Sequence, residues 1–340
     1  MKAIQISEYV KSHADLRVTR VPDPIPGSDQ VLVTVTHSAL NHVDLLYAKG
    51  LHQNNHSGLV KPPFVLGLEF AGVVASAPPD SGFQVGDKVW GAGVGGYAEQ
   101  IAVPASAVRR LPAGWTLHEA AGLGAATAPV SYGALARLAQ VKKGQTVLVH
   151  AAAGGLGVFA VQIAHALGAK VVGTVGSEEK AEVVRRLGGV LGVVRYDVDG
   201  WEQEVLNISS GGGVDVVYDT VGLVGKSIRC LKFGGSVVIA GFAGLNGTME
   251  TLSMNRVLLK GAKLLGYRYG ETGRRNPGEN EEVWKGLNAM LESGRVKPVV
   301  YGTYHGLESV PKALDDLASR KVWGKAVVEI QSPSSIGARL

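Results

Sequence analysis

The chain has 340 residues, of which 46% are hydrophobic and 19% charged, with a formal net charge of +5. This length predicts about two domains, and the composition is that of an ordinary soluble globular protein. The basic pairs are scattered rather than concentrated on one face, so we expect no nucleic-acid partner. Residues 2–10 are too short and too mixed in polarity for a signal peptide. One cysteine, Cys230, excludes an internal disulfide framework and a thiolate zinc cluster, and we interpret it as a small buried hydrophobe.

The first part of the chain, residues 1–125, carries short strand patterns separated by glycine and proline. Predicted strands are Gln30–Thr36, Phe70–Ala75 and Asp87–Trp90. This pattern predicts an antiparallel, β-rich module.

Strands and helices alternate from about residue 126 onward. The predicted strands are Thr146–Val149, Lys170–Val175, Val214–Asp219 and Ser236–Phe242, and the predicted helices are Val158–Leu167 and Glu178–Leu187. The most apolar stretch, 147–175, is interrupted by polar residues and glycines, so we interpret it as a buried βαβ unit and not as a membrane span. The alternation predicts a doubly wound α/β domain over residues 126–269.

The segment between the first strand and helix of this domain reads Ala152-x-Gly154-x-x-Gly157. Glycines at this spacing allow a tight turn and a close approach of the backbone to a pyrophosphate, which then lies on the helix N-terminus. Because a strand precedes the motif and a helix follows it, the pattern predicts dinucleotide binding.

The last part of the chain begins with a polar stretch, 270–280, that breaks this alternation. Helices are predicted at Glu281–Ser293 and Val310–Ala318, and a final strand at Lys325–Ile330. Since residues 1–125 lack a closing element, we predict that the tail returns to the first module, giving a discontinuous catalytic domain of residues 1–125 and 270–340.

Six segments together resemble a known family: Asn41-His-Val-Asp44, Gly67-Leu-Glu-Phe-Ala-Gly-Val-Val, Gly86-Asp-Lys-Val, His150-Ala-Ala-Ala-Gly-Gly-Leu-Gly157, Gly173-Thr-Val-Gly-Ser and Tyr218-Asp-Thr-Val-Gly222. They resemble the medium-chain dehydrogenase/reductase superfamily and, within it, the zinc-free quinone oxidoreductases related to ζ-crystallin. The resemblance implies an α/β fold with a GroES-like β-rich catalytic domain and a Rossmann cofactor domain. It also implies a cleft between them and, usually, a homodimer.

The resemblance also indicates that no metal takes part. Asn41 stands where the zinc enzymes of the superfamily carry their first cysteine ligand, and Leu68 replaces the histidine of their Gly-His-Glu motif. A catalytic zinc needs three protein ligands, which these positions cannot supply. We interpret His37, His42, His52 and His56 as loop or surface histidines because their spacing does not form a ligand set.

The end of the second Rossmann strand indicates the cofactor. Enzymes that use NAD place an acid there, whereas Ser177 follows this strand, with Lys180 three residues on. By resemblance, Tyr196 and Arg320 contact the 2′-phosphate. Glu178 and Glu179 leave NAD open as the alternative, but acids also suit the first turn of a helix. We predict NADPH.

The resemblance supplies the other candidate site residues. Catalytic candidates are Asn41, Thr127 and Arg268; cofactor contacts are Asn41, Thr127, Ala153, Gly154, Gly155, Leu156, Gly157, Ser177, Lys180, Tyr196, Val221, Gly222, Gly241, Phe242, Ala243 and Arg320; the substrate pocket contains Tyr47 and His52. The alternatives are a loop amide that bonds its own backbone for Asn41 and a plain salt bridge for Arg268. Related bacterial enzymes carry tyrosines where this chain has Leu46 and His52, so the pocket wall differs.

The function implied is zinc-independent, NADPH-dependent hydride transfer to a small electrophile, a quinone or an α,β-unsaturated carbonyl. Such acceptors delocalise the new negative charge, and the cofactor carries the chemistry. A 2-enoyl thioester reductase and a non-catalytic NADPH-binding, crystallin-like protein are the alternatives. We expect a cytoplasmic location without membrane association, although Ala338-Arg-Leu340 resembles the peroxisomal Ser-Lys-Leu signal.

Overall fold

The computed structural model describes residues 1–244 and 250–331. It divides into two compact units. The first unit comprises residues 1–126 and the described residues from 298 onward, and the second comprises residues 127–297. The chain therefore returns from the second unit to the first between residues 297 and 298, whereas the sequence predicts this return between residues 269 and 270.

The first unit contains most of its strands before residue 111 and completes its sheet with the C-terminal part of the chain. Its elements are β1 (Lys2–Ile6), β2 (Val18–Arg20), β3 (Gln30–Ala39), α1 (His42–Lys49), α2 (Gln53–His56), β4 (Phe64–Val65), β5 (Glu69–Ser76), β6 (Lys88–Ala92), β7 (Gln100–Pro104), β8 (Val108–Arg110), α3 (Leu117–Leu123), β15 (Val300–His305), α12 (Val310–Ala318) and β16 (Lys325–Glu329).

Two sheets organise this unit. A three-stranded antiparallel sheet has the order β2-β1-β4, and a seven-stranded sheet has the order β15-β16-β3-β5-β6-β8, with β7 also paired to β3. Strand β16 pairs antiparallel with β3, so the C-terminal strand completes the N-terminal sheet. The β15–β16 pair is parallel, unlike the antiparallel pairs predicted for this module. Alternate residues of β3, Val31, Val33 and Val35, are fully buried, as a half-buried strand requires.

The second unit alternates strands and helices. Its elements are α4 (Ala128–Tyr132), a π-helix (Gly133–Leu138), β9 (Thr146–Val149), α5 (Gly157–Ala166), β10 (Lys170–Val175), α6 (Glu178–Leu187), β11 (Val190–Arg195), α7 (Trp201–Ile208), β12 (Val214–Asp219), α8 (Val224–Cys230), β13 (Leu231–Ile239), α9 (Asn255–Lys260), β14 (Lys263–Gly266), α10 (Tyr269–Arg275) and α11 (Pro277–Glu292).

The sheet of the second unit is parallel, with the order β11-β10-β9-β12-β13-β14. Numbered from β9, this is the order 3-2-1-4-5-6 of the doubly wound dinucleotide-binding fold. The strand order reverses between β9 and β12, and a ligand of this fold binds at the carboxyl ends of the strands at that point. All four residues of β9 are buried, as expected for a central strand of a parallel sheet that is covered on both faces.

Helices α10 and α11 occupy the region where the sequence predicts a polar break. Val283, Trp284 and Leu287 are buried on α11, and a side chain at Gly286 would overlap the hydroxyl of Tyr132 on α4. This close packing places α11 in the second unit. Within the described residues, no helix combines the length and apolarity needed to cross a bilayer.

Candidate active site

The glycine loop closes tightly between β9 and α5. Ala151 has a positive φ of 47°, and its carbonyl oxygen accepts a hydrogen bond of 2.7 Å from the Gly154 backbone N–H. A Cβ at Gly157 would lie 2.8 Å from Ala152 Cα and would overlap the Ala151 oxygen. Only glycine fits at this position, which is the first residue of α5, and a helix N-terminus at this point of the fold favours a bound pyrophosphate.

The end of β10 brings Ser177, Lys180 and Tyr196 into one neighbourhood. Ser177 is the N-cap of α6, and its hydroxyl accepts from the Lys180 backbone N–H at 3.3 Å. The Tyr196 backbone N–H donates to Val175 at 3.1 Å, and its hydroxyl lies 3.1 Å from the place of a Cβ at Gly176. Two hydroxyls and the α6 residue Lys180 therefore lie at the strand end where this fold recognises the adenosine ribose.

Glu178, the first acid after Ser177, forms an ion pair on its own helix. Its carboxylate lies 2.6 Å from Arg185 on the same helix. The ion pair gives Glu178 a role within α6, where an acid in the first turn also complements the helix dipole.

The two predicted turns of the second half of the sheet lie side by side. Thr220 and Val221 accept hydrogen bonds of 2.9 Å from the backbone N–H groups of Ala243 and Gly244. The structure thus brings Val221-Gly222 and Gly241–Ala243 together at the carboxyl ends of β12 and β13.

Asp219 organises the first of these turns, and sequence reasoning assigned it no role. One carboxylate oxygen accepts from the backbone N–H of Val221 at 2.7 Å and of Gly222 at 2.9 Å. The other oxygen accepts from Leu223 N–H at 2.6 Å. An acid at the last position of a buried strand was the signal in the sequence.

His150, directly after β9, is fully buried. The Ser227 hydroxyl donates to the Leu223 carbonyl at 2.6 Å, so its oxygen must accept from His150 Nε2–H at 2.7 Å. His150 Nδ1 lies 2.8 Å from the Thr174 hydroxyl oxygen and accepts from that hydroxyl in the neutral ring. Burial lowers the pKa of His150, and the charge of Asp219 only partly opposes this shift.

In the first unit, Asn41 lies beside a buried ion pair. Lys325 Nζ donates to Glu69 Oε2 at 2.8 Å, to Asn41 Oδ1 at 2.7 Å and to the Leu40 carbonyl at 2.8 Å. Asn41 Nδ2 donates to Glu69 Oε2 at 2.9 Å and to the Ala39 carbonyl at 3.3 Å. An ammonium only donates and a carboxylate only accepts, so these two partners fix the orientation of the Asn41 amide.

Glu69 also reaches the point where the chain leaves the first unit. Its second oxygen accepts from the Ala126 backbone N–H at 2.7 Å, and Thr127, the next residue, is buried. Sequence reasoning quoted Glu69 in a motif without a role and missed Lys325. A lysine at the start of an apolar strand was the available signal.

Asp44 braces the start of α1. Its Oδ2 accepts from the Asn41 backbone N–H at 2.8 Å and from the Tyr97 hydroxyl at 2.6 Å. Asp44 is fully buried, and this burial raises the pKa of its carboxyl group to about 7, against the lowering effect of both hydrogen bonds.

Tyr47 and His52, the predicted pocket residues, pack against each other. Their ring centroids are 4.6 Å apart. The Tyr47 hydroxyl accepts from Asn54 Nδ2 at 2.8 Å, and His52 Nδ1 accepts from the Asn54 backbone N–H at 3.0 Å, which caps α2.

The two predicted arginines lie in different units. Arg268, in the second unit, forms a 3.7 Å ion pair with Glu271, which fits the plain salt-bridge alternative. Arg320, in the first unit, follows α12 with a positive φ of 61°.

The interpretation of all four early histidines as loop or surface residues is wrong for His37. This residue is buried on β3, its Nδ1 lies 2.9 Å from the Thr36 hydroxyl, and burial lowers its pKa to about 4. Within the described residues, no three His, Cys, Asp or Glu side chains are grouped to hold a metal ion. The interpretation of Cys230 as a buried hydrophobe is confirmed, since it is buried and burial raises the pKa of its thiol to about 12.

Comparison with known proteins gives two family matches and many relatives. An alcohol dehydrogenase GroES-like domain matches residues 27–113, and a zinc-binding dehydrogenase matches residues 155–292. Quinone oxidoreductase-like protein 2 of Bos taurus is 33% identical, covering 91% of this chain and 87% of that protein. Acryloyl-coenzyme A reductase of Sulfurisphaera tokodaii is 28% identical, covering 97% of this chain and 100% of that protein. A mycobacterial protein whose structure was solved in complex with NADPH is 29% identical and has a TM-score of 0.85. The match covers 97% of this chain and 99% of that one.

These likenesses extend over both units and define the class as a medium-chain oxidoreductase. Within that superfamily, the chain belongs to the zinc-free quinone oxidoreductase branch. The predicted combination of a GroES-like domain with a Rossmann domain is confirmed.

Proposed function

We propose that this oxidoreductase is a zinc-independent reductase that transfers hydride from NADPH to quinones or α,β-unsaturated carbonyls. The observation that carries the choice of cofactor is the end of β10. Ser177 caps α6 there, Lys180 lies in the first turn of α6, and the Tyr196 hydroxyl lies beside Gly176. An acid in place of Ser177 would repel a 2′-phosphate, whereas hydroxyl groups and a cation attract it.

The protein's part in this reaction is to bind and orient. Bound NADPH would supply the hydride. An α,β-unsaturated carbonyl would take it at its β-carbon and a quinone would take it into its conjugated carbonyl system, and a proton from solvent would complete the reduction to the saturated carbonyl or the hydroquinone. Negative charge develops on the acceptor oxygen, where a hydrogen-bond donor stabilises it.

Asn41, Thr127 and Arg268 are the residues we propose for contact with the reacting groups. Both amide hydrogens of Asn41 already have acceptors in the first unit. The bond to Ala39, at 3.3 Å, is longer than the 2.9 Å bond to Glu69. Donation to a substrate oxygen would therefore replace the Ala39 bond.

A 2-enoyl thioester is the second candidate substrate. The relative named acryloyl-coenzyme A reductase matches along its whole length. In this chain the packed pair of Tyr47 and His52 forms the predicted pocket wall, with no tyrosine at position 52. Hydride transfer to a β-carbon serves both α,β-unsaturated carbonyls and 2-enoyl thioesters.

The test of the proposal is NADPH oxidation against 9,10-phenanthrenequinone, 1,4-benzoquinone, an alkenal and crotonyl-CoA, with NADH in parallel. Turnover with NADPH preferred supports the proposal, and the responding substrate identifies the class. Binding of NADPH without turnover of any substrate would favour the non-catalytic alternative.

The cofactor choice has its own variants. Ser177→Asp keeps an N-cap residue but adds a carboxylate. We therefore expect kcat/KM for NADPH to fall about 10- to 100-fold and kcat/KM for NADH to rise. Lys180→Gln should weaken NADPH alone, while Lys170→Gln, at the opposite end of β10, serves as the matched control. Equal effects of Ser177→Asp on both cofactors would contradict the assignment.

We also propose a homodimer. Phe233, Met254, Leu258 and Leu259 of the second unit are large apolar residues that are mostly exposed, and β14 ends its sheet among the described strands. Apolar exposure of this kind suits a subunit contact. Light scattering should give the molar mass of a dimer for the unaltered protein and that of a monomer for the Leu258→Lys variant.

We propose that the protein resides in the cytoplasm, with import into peroxisomes as the alternative. The Ala338-Arg-Leu340 tripeptide lies outside the described residues. Fluorescent fusions with and without these three residues distinguish the two locations.

A further inference from the structure

A buried negative charge lies at the switch point of the Rossmann sheet. Asp219, the last residue of β12, has an exposed fraction of 0%. Three backbone N–H groups donate to its two oxygens. Both oxygens act only as acceptors, which is the pattern of an ionised carboxylate.

No cation of the described residues forms an ion pair with this carboxylate. The neighbouring histidine, His150, is fully buried, and burial lowers its pKa, which disfavours its cationic form. Buried carboxylates are normally paired with a cation, so this charge lacks the usual compensation within the second unit.

The sheet order indicates which half of the dinucleotide lies over Asp219. The adenosine half belongs to β9, β10 and β11, because the glycine loop follows β9 and the ribose-recognition site follows β10. The second half of the sheet, which starts with β12, then receives the nicotinamide half. Asp219 lies at the carboxyl end of that strand, behind the turn of Val221 and Gly222.

We propose that Asp219 stabilises the oxidised nicotinamide ring electrostatically and so favours hydride donation by the bound cofactor. The ring of NADPH is uncharged. When it gives up a hydride with its electron pair, the ring of NADP⁺ carries one positive charge. A fixed negative charge behind the turn attracts the second state and not the first, so it lowers the free energy of the oxidised cofactor.

This inference rests on the proposed function in one respect, that the cofactor is a nicotinamide dinucleotide. Its test needs only binding. The dissociation constants of NADP⁺ and NADPH are measured by calorimetry, and their ratio is compared between the protein and its variants. Distortion of the turn weakens both forms alike, whereas loss of the charge weakens NADP⁺ alone.

Asp219→Asn removes the charge at nearly constant size. At an effective permittivity of about 20, two unit charges change binding about tenfold when they are separated by roughly 10 Å, which is the scale of the expected effect. We therefore expect Kd(NADP⁺)/Kd(NADPH) to rise about tenfold. Asp219→Ser, which keeps an oxygen acceptor in a smaller side chain, provides the same measurement if the asparagine variant does not fold.

Two matched controls separate charge from structure. Asp215→Asn removes a carboxylate from the start of the same strand, where it bonds Thr146 N–H and Lys232, and should leave the ratio within about twofold. Ser227→Ala removes the partner of His150 Nε2–H but no charge, and should also leave the ratio unchanged.

An unchanged ratio in both Asp219 variants would overturn the inference, as would an equal rise in Asp215→Asn. If the unaltered protein binds neither nucleotide, the proposed function itself fails and the inference fails with it. Binding of both nucleotides without turnover of any substrate contradicts only the reductase proposal, and the ratio still decides the role of Asp219.

Discussion

The ion pair of Glu69 and Lys325 offers a direct test of how the first unit is held together. The two side chains are 1% and 2% exposed, and their charged atoms lie 2.8 Å apart. Lys325 Nζ has three acceptors and Glu69 has donors on both oxygens. Removing one partner therefore leaves the other as a buried charge without its counter-ion.

The expected cost follows from this burial. Lys325→Met alone, or Glu69→Gln alone, should destabilise the protein by about 3–5 kcal/mol, since each leaves an uncompensated buried charge. For a unit of this size, that corresponds to a fall in Tm of about 10 °C. The double variant leaves no unpaired charge, so its loss should be smaller than the sum of the single losses by at least about 2 kcal/mol.

The assay is thermal and guanidinium unfolding of the four proteins in the double-mutant cycle. The surface pair of Glu178 and Arg185, whose side chains are 61% and 44% exposed, is the control. Its corresponding cycle should show no measurable coupling, because exposed pairs are screened by solvent. Additive losses for Glu69 and Lys325, within about 0.5 kcal/mol, would refute the reasoning.

Two further predictions concern Asp44 and the glycine loop. Burial raises the pKa of Asp44 to about 7, so the folded protein binds this proton more tightly than the unfolded chain. The contribution of Asp44 to stability should fall as pH rises from about 4 to 7, and Asp44→Asn should flatten this part of the stability profile relative to the unaltered protein; parallel profiles would contradict it. Gly157→Ala should abolish NADPH binding, because the new methyl overlaps the Ala151 carbonyl. The control is Gly270→Ala, which adds a methyl to open space on α10 and should bind NADPH normally. Denaturant unfolding should show that it gains about 0.5–1 kcal/mol of stability. Retained NADPH affinity in Gly157→Ala would contradict the requirement for glycine at position 157.

Sequence and structure agree best where a feature is specified by neighbouring residues. The predicted bounds of α6, Glu178–Leu187, of α12, Val310–Ala318, and of β12, Val214–Asp219, are those of the structure. Each has a strong local pattern: a capping serine, a proline in the first turn or a β-branched apolar run. By contrast, the polar stretch at 270–280 is helical, because α10 and α11 gain their stability from packing and from ion pairs around Glu271.

The sequence by itself determined the glycine loop, the strand and helix on either side of it, and the serine at the end of β10. Each depends on backbone geometry within about ten residues, which residue type and spacing specify directly. Only the tertiary structure decided how distant charges are used. Glu69 and Lys325 are separated by 256 positions in the chain, and Asp219 is distinguished by the absence of any ion pair within the described residues. Whether a charge is paired and how deeply it is buried depend on which segments meet in space, and local spacing along a single chain contains no such information.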